Sequence, residues 1–285
     1  MPQLLPAERD LVARRSGVIA KVCKLPPFAP AALRLLSIST DSVSAVEDFE
    51  SAFGLDPALA ANLLVTANSP LFAFRSHIGS IRRAISLLGL DAVRSLALTI
   101  GMRTYISRSG TQDAIHSVWS HSIATAVIAE TVGKHSHAPD VTMLYTAGLL
   151  HDIGRLALLS TEGRRYAEIL SREHYDMEES LLLETLTFGC THDDVGAFLC
   201  RSWGFPEALC DCVRFHHQDV VAHAGPPFDL VRLACRLGDV LDMGEVRCAS
   251  RGGREVADLL PAHLQNCADL HPDHLLERIL KMTSI

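Results

Sequence analysis

Apolar residues recur at helical spacing through almost the whole chain, and no stretch alternates apolar and polar residues as a half-buried strand would. The repeats are bounded by residues that start and stop helices, which confines the fold to the all-α class. Asp56-Pro57 reads as an N-cap followed by proline at the first helical position, and Asn68-Ser69-Pro70 closes that segment. Ser80 caps a helix through Leu88 that stops at Gly89, and Asp91 caps the next, which is expected to end at Gly101. Residues 25–105 therefore form a lobe of four or five short helices with no catalytic motif. A more polar stretch, Arg108 to Gln112, containing Ser109 and Gly110, puts a boundary near residues 105–115 between this lobe and a second one over 113–245.

In the second lobe an alanine-rich helix spans His116 to Lys134, and an apolar helix, Met143 to Leu150, runs straight into His151-Asp152-Ile153-Gly154. Glu178 to Thr187 is helical. Thr191 and Asp194, three apart, have the form of a capping box. Pro206 opens a helix ending at His216-His217. A loop at Ala224-Gly225-Pro226-Pro227 precedes an amphipathic helix carrying Leu230, Leu233, Ala234, Leu237 and Leu241. Residues 1–24 are an N-terminal extension. Residues 246–285, after a Gly252-Gly253 break, are a more polar helical extension.

Composition narrows the function. With 285 residues, 48% of them apolar, the chain has material for one large domain or two lobes. Its formal net charge of −7 argues against a general nucleic-acid binder, which needs a basic surface. Arg14-Arg15 and Arg82-Arg83 read as solvated helix faces. No apolar run reaches the roughly 18–20 residues that span a bilayer, and the first fifteen residues lack a signal-peptide core, so a cytoplasmic location is expected. The eight cysteines include no C-x-x-C pair and read as reduced, mostly buried thiols.

The chemistry lies in the histidines. Adjacent His151 and Asp152 can ligate one metal or two neighbouring ones, since a carboxylate can bridge. Such a site needs further imidazoles or carboxylates from other helices. His121, His192, His216 and His217 are the candidates, each placed near a helix end where several ends can converge. A divalent metal held there (Fe, Mn, Zn or Mg) would lower the pKa of its water. His77, His135, His137, His174, His223, His263, His271 and His274 read instead as surface or hydrogen-bonded core residues.

The string AGLLHDIGRLAL (147–158) resembles the core motif of the HD superfamily. More specifically, the chain resembles the HDOD family, the HD-related output domain of bacterial signalling. LPPFAPAALRLL (25–36), DPALAANLLVTANSPLF (56–72), SIRRAISLLGLDAVRSLAL (80–98), WSHSIATA (119–126) and ETLTFGCTHDDVGAFLCRSWGFP (184–206) match in order, followed by His216-His217. The likeness covers about residues 20–245. It implies a two-lobed helical bundle with an HD-domain-like C-terminal lobe, standing alone with a short extension. It also implies a regulatory role exercised through a signalling protein partner or a nucleotide-type ligand. Related HD-GYP phosphodiesterases hold several metals with a similar His/Asp set. Here no G-Y-P triplet occurs, and Gln218 follows the histidine pair where glutamate is common. Cys235 follows Ala234 where the HD pattern ends in aspartate, with Asp239 one helical turn later as another possible ligand. Two readings stand: a non-catalytic interaction module, or a metal-dependent phosphohydrolase acting on a nucleotide or cyclic dinucleotide.

Overall fold

The computed structural model describes residues 6–74, 76–106, 112–218, 226–248 and 255–284. Its contacts divide the chain into one compact unit of Pro26–Arg108 and another built from Met1–Leu25 with Ser109–Thr283. The first helix, α1 (Pro6–Val22), therefore belongs with the C-terminal unit, packing on helices of the HD-like region.

The smaller unit holds α2 (Pro30–Leu36), α3 (Ala45–Gly54), α4 (Pro57–Ala67), α5 (Ile81–Leu88) and α6 (Leu90–Ile106) around Phe28, Leu35, Phe49, Phe53 and Leu63. The local signals act as their chemistry dictates. Asp56 accepts from Leu59 N at 2.9 Å, and Ser80 Oγ from Arg83 N at 3.2 Å. Asn68 does more than stop α4: its amide brackets Ile78, donating to the carbonyl at 2.9 Å and accepting from the N–H at 2.8 Å. Two expectations fail here. Asp91 is no cap, because Gly89, at φ 86°, turns the chain sharply enough for α6 to begin at Leu90. Gly101 does not end α6. It lies inside the helix against the Phe28 ring, which would sit 3.4 Å from a Cβ at that position.

Besides α1, the larger unit holds α7 (Gln112–His135), α8 (Val141–Leu150), α9 (Ile153–Glu162), α10 (Arg164–Leu170) and α11 (Met177–Phe188). It continues with α12 (His192–Ser202), α13 (Glu207–Phe215), α14 (Pro226–Val240), α15 (Val256–Leu259) and α16 (Pro272–Thr283). The long helix α7 is the spine, with α8, α14 and α16 packed along it, while α12 packs on α9 and α13. The Thr191/Asp194 capping box forms. Pro226 and Pro227 open α14 rather than lying in a loop, and residues 224, 225, 252 and 253 lie outside the described residues, as does His223. The one extended pairing among the described residues is a two-residue parallel bridge, Glu173–His174 beside Arg247–Cys248. Among the described residues no single helix is long and apolar enough to cross a membrane.

None of the eight cysteines is disulfide-bonded. Cys23 is exposed, whereas Cys190, Cys200, Cys210, Cys212 and Cys235 are buried. Burial pushes the Cys190 and Cys212 thiols up to about 12 and raises that of Cys200 as well. Since the thiolate is the reactive form, Ellman's reagent at mildly alkaline pH is expected to titrate Cys23 rapidly in the native protein. It should reach Cys190, Cys200 and Cys212 only after denaturant is added. Equal reaction rates for all of them would contradict this packing.

Candidate metal centre

The centre is built where α8 hands over to α9. Asp140 caps α8, which is buried from Leu144 to Leu150. His151 closes it, and Asp152, at φ −102° and ψ 18°, opens α9. Two glycines let this junction drop between its neighbours. At Gly148 a Cβ would lie 2.8 Å from Ala126 Cα and from Thr125 O on α7. At Gly154 it would overlap His192 O and lie 2.7 Å from Gly196 N on α12. The backbones therefore approach closely on both sides, and His151 and Asp152 are sealed between α7 and α12.

Hydrogen bonding fixes the imidazoles. A backbone carbonyl can only accept, so a ring nitrogen facing one must carry the proton. His151 Nδ1 donates to Gly148 O at 2.7 Å, His216 Nδ1 to Val213 O at 2.8 Å, and His121 Nδ1 to Met243 O at 3.1 Å. Nε2 of each ring then faces inward, the arrangement found behind metal-ligating histidines. His192 is held by a carboxylate instead. Its Nδ1 lies 2.9 Å from Glu184 Oε2, and its backbone N–H donates to the same oxygen at 2.7 Å.

The inward atoms fall into overlapping sets whose members lie within 4.8 Å of one another: Asp152, His192, His216 and His217; His121, His151 and Cys235; His121, Asp152 and Glu245. His192 Nε2 is 3.2 Å from both Asp152 Oδ1 and His217 Nε2, and 2.8 Å from Asp193 Oδ1. His216 Nε2 is 3.5 Å from Asp152 Oδ1. His151 Nε2, Asp152 Oδ2, His216 Nε2 and Glu245 Oε2 are buried and make no hydrogen bond. Acceptor facing acceptor at these spacings is unfavourable unless a cation or proton is shared, and imidazole, carboxylate and thiol suit a divalent metal. The residues present fit such an ion.

The six histidine and aspartate candidates thus come together in one place. His121 does so from the middle of α7, not from a helix end. Cys235 Sγ lies 3.5 Å from His121 Nε2. Asp239 Oδ1 lies 3.9 Å from Nδ1 of the same ring, on the side turned away from the other donors. Five residues of the centre carried no signal that was read from the sequence: Arg155, Tyr166, Glu184, Asp193 and Glu245. Arg155 is fully buried. Its Nε donates to Asp152 Oδ1 at 3.0 Å, and its Nη1 to Tyr166 Oη at 3.1 Å and Glu184 Oε1 at 3.2 Å. Its Nη2 pairs with Glu245 Oε1 at 3.3 Å. Tyr166 Oη in turn donates to Glu184 Oε1 at 2.8 Å.

Burial would raise the Asp152 carboxyl, but the Arg155 guanidinium and the surrounding histidines hold it well below the usual range. Glu184 and Asp193 are likewise lowered against their burial, chiefly by His192. Burial and neighbouring imidazoles push His151 and His217 well down, which keeps them neutral and able to ligate. His192 is the exception: burial and Arg155 disfavour its proton, yet Asp193 and Glu184 raise it well above the ordinary value. A proton on His192 supplies some of the positive charge that a metal would bring.

An all-helical unit with a buried His/Asp centre at a helix–helix junction defines a protein of the HD class. The model of the HDOD domain matches residues 25–219, and the chain belongs to the HDOD family. An HDOD domain protein of unknown function from Geobacter sulfurreducens is similar in structure, with a TM-score of 0.71 and 24% identity over 96% of this chain and 89% of that one. So is a candidate phosphohydrolase from Shewanella amazonensis, at 0.70 and 20% identity over 95% and 98%. An uncharacterised protein of Treponema pallidum is 22% identical over 225 residues, 76% of this chain, and the match spans only 42% of that protein's length.

Proposed function

We propose that this chain is a regulatory HD-related output module of the cytoplasm. It acts by binding a signalling protein partner or a nucleotide-type ligand, and its HD centre serves structure and switching rather than phosphoester hydrolysis. The burial of the centre carries this reading. His151, Asp152, Arg155 and His192 are each 0% exposed. A reacting phosphorus must come within about 3–3.5 Å of its nucleophile, and closure over these groups leaves only the half-buried edge at His217 for an approach. The guanidinium of Arg155 also engages Asp152 Oδ1, drawing on the carboxylate that a catalytic metal would need.

A divalent ion, when bound, supplies Lewis acidity and a hydroxide source at neutral pH. Asp152, His192, His216 and His217 would hold it on one side, and His121 and His151 with Cys235 on the other. Arg155, Glu184 and the Met243 carbonyl orient these donors. The second reading, a phosphohydrolase acting on a nucleotide or cyclic dinucleotide, is favoured by the inward donors that make no hydrogen bond and by the name of the Shewanella relative. Turnover of cyclic di-GMP and nucleoside phosphates with added Mn²⁺ or Fe²⁺ separates the two. Neither the native chain nor Asp152→Ala is expected to exceed background. Robust hydrolysis by the native chain, lost in a variant that circular dichroism shows still folded, would establish the second reading.

A further inference from the structure

We propose that Cys235 makes the half of the centre it shares with His121 and His151 a thiolate-bearing site for a thiophilic divalent metal, zinc foremost. The inference rests on the reading that the centre holds a metal, and adds which metal this chain selects. Cys235 lies on the buried face of α14, between Ala234 and Leu237. One turn on, Gly238 presents no side chain, and the His121 ring lies against the helix there, 3.5 Å from where a Cβ would be. That contact brings Nε2 of His121 to 3.5 Å from Sγ.

The spacing is that of two ligands on one ion. Zinc–sulfur and zinc–nitrogen bonds of about 2.3 Å and 2.0–2.1 Å at a tetrahedral angle set sulfur and nitrogen roughly 3.5–3.6 Å apart. His121 Nδ1 is engaged by the Met243 carbonyl, so Nε2 is the nitrogen turned to the ion; it also faces Glu245 Oε2 at 3.2 Å, a carboxylate at the edge of the same site. The third member, His151 Nε2, is fully buried, makes no hydrogen bond, and lies within 4.8 Å of the other two donor atoms. An aspartate in place of Cys235 would offer oxygen, which suits Mg²⁺ and Mn²⁺. A thiolate favours zinc and its soft neighbours. Binding is a simple exchange: the metal–sulfur bond forms, the S–H bond breaks heterolytically, and one proton leaves to solvent without redox change.

Cobalt(II), a spectroscopic stand-in for zinc, tests this on the full chain after chelator treatment. Titration is expected to give an intense near-ultraviolet sulfur-to-cobalt charge-transfer band that Zn²⁺ abolishes by displacement. The band should vanish in Cys235→Ser, with folding checked by circular dichroism. Cys235→Asp should bind Co²⁺ without the band, and its preference for Zn²⁺ over Mn²⁺ should fall about tenfold or more. X-ray absorption of the zinc-loaded native chain gives a check that needs no variant: a sulfur scatterer at about 2.3 Å is expected. Cobalt bound without the band, a band that survives in Cys235→Ser, no cobalt bound, or a zinc shell without sulfur would each overturn the proposal and leave only a thiol–imidazole contact. Turnover of cyclic di-GMP would refute the output-module reading alone, so the two can fail separately.

Discussion

A chain carrying Gly154→Ala is expected to lose more than about 3 kcal/mol of stability, enough to unfold much of the protein under mild conditions. Gly154 sits in the first turn of α9 where that helix crosses α12. A Cβ there would overlap His192 O and lie 2.8 Å from His192 C and 2.7 Å from Gly196 N. All three are backbone atoms, so no rotamer change relieves the clash. Nor can the opposing residue give way, since a Cβ at Gly196 would itself lie 3.2 Å from Gly154 N. The helices must separate, carrying His192 Nε2 away from Asp152 Oδ1, now 3.2 Å apart. Overpacking a side chain into a core costs about 1–3 kcal/mol when neighbours can adjust, and here they cannot. Urea denaturation followed by far-ultraviolet circular dichroism measures the effect. Gly17→Ala, at an exposed position inside α1 with open space around it, is the matched control. It should gain about 0.5–1 kcal/mol from helix propensity. A native denaturation midpoint in Gly154→Ala would mean that α9 and α12 do not cross as described.

Which features could be read from sequence follows from the distance over which each is determined. Asp56, Ser80 and Thr191 cap helices because each side chain meets an N–H three residues on, so sequence alone shows both partners. Gly101 has the local look of a helix stop, but its position is decided by the Phe28 ring, far away in the chain. His121 belongs to the centre through a contact with Cys235 across 114 residues, which leaves no trace in the pattern of α7. Glu184 and Arg155 resemble solvated charges on amphipathic helices and are in fact completely buried. Glu245 lies beyond the last helix of the matched stretch, where an acidic residue carries no periodic signal. Asp193, directly after His192, was the one missed residue with a local cue, because a second His-Asp pair repeats the form of His151-Asp152.

Arg155→Met is expected to destabilise the metal-free protein by about 3–5 kcal/mol, although methionine has similar length and is apolar. The guanidinium is the counter-ion of the centre. It bonds Asp152 at 3.0 Å and Glu184 at 3.2 Å, and pairs with Glu245 at 3.3 Å. Burial works against its charge, yet these carboxylates hold its proton more firmly than water does. Deleting it leaves buried carboxylates facing one another, and an uncompensated buried charge costs far more than the ion pair itself contributes. Arg155→Lys keeps the charge but offers one compact ammonium to partners spread over a planar fork, so an intermediate loss is expected. A bound divalent metal supplies positive charge to the same carboxylates. Zn²⁺ or Mn²⁺ should therefore restore part of the Arg155→Met loss, by about 2.7 kcal/mol when present at a hundredfold excess over its Kd. Thermal unfolding with chelator and with metal distinguishes the cases. A larger metal-induced rise in Tm for the variant than for the native chain would show that guanidinium and metal neutralise the same charges. Native-like stability of Arg155→Met in chelator would show instead that the carboxylates hold protons of their own, and that Arg155 is not what keeps the centre together.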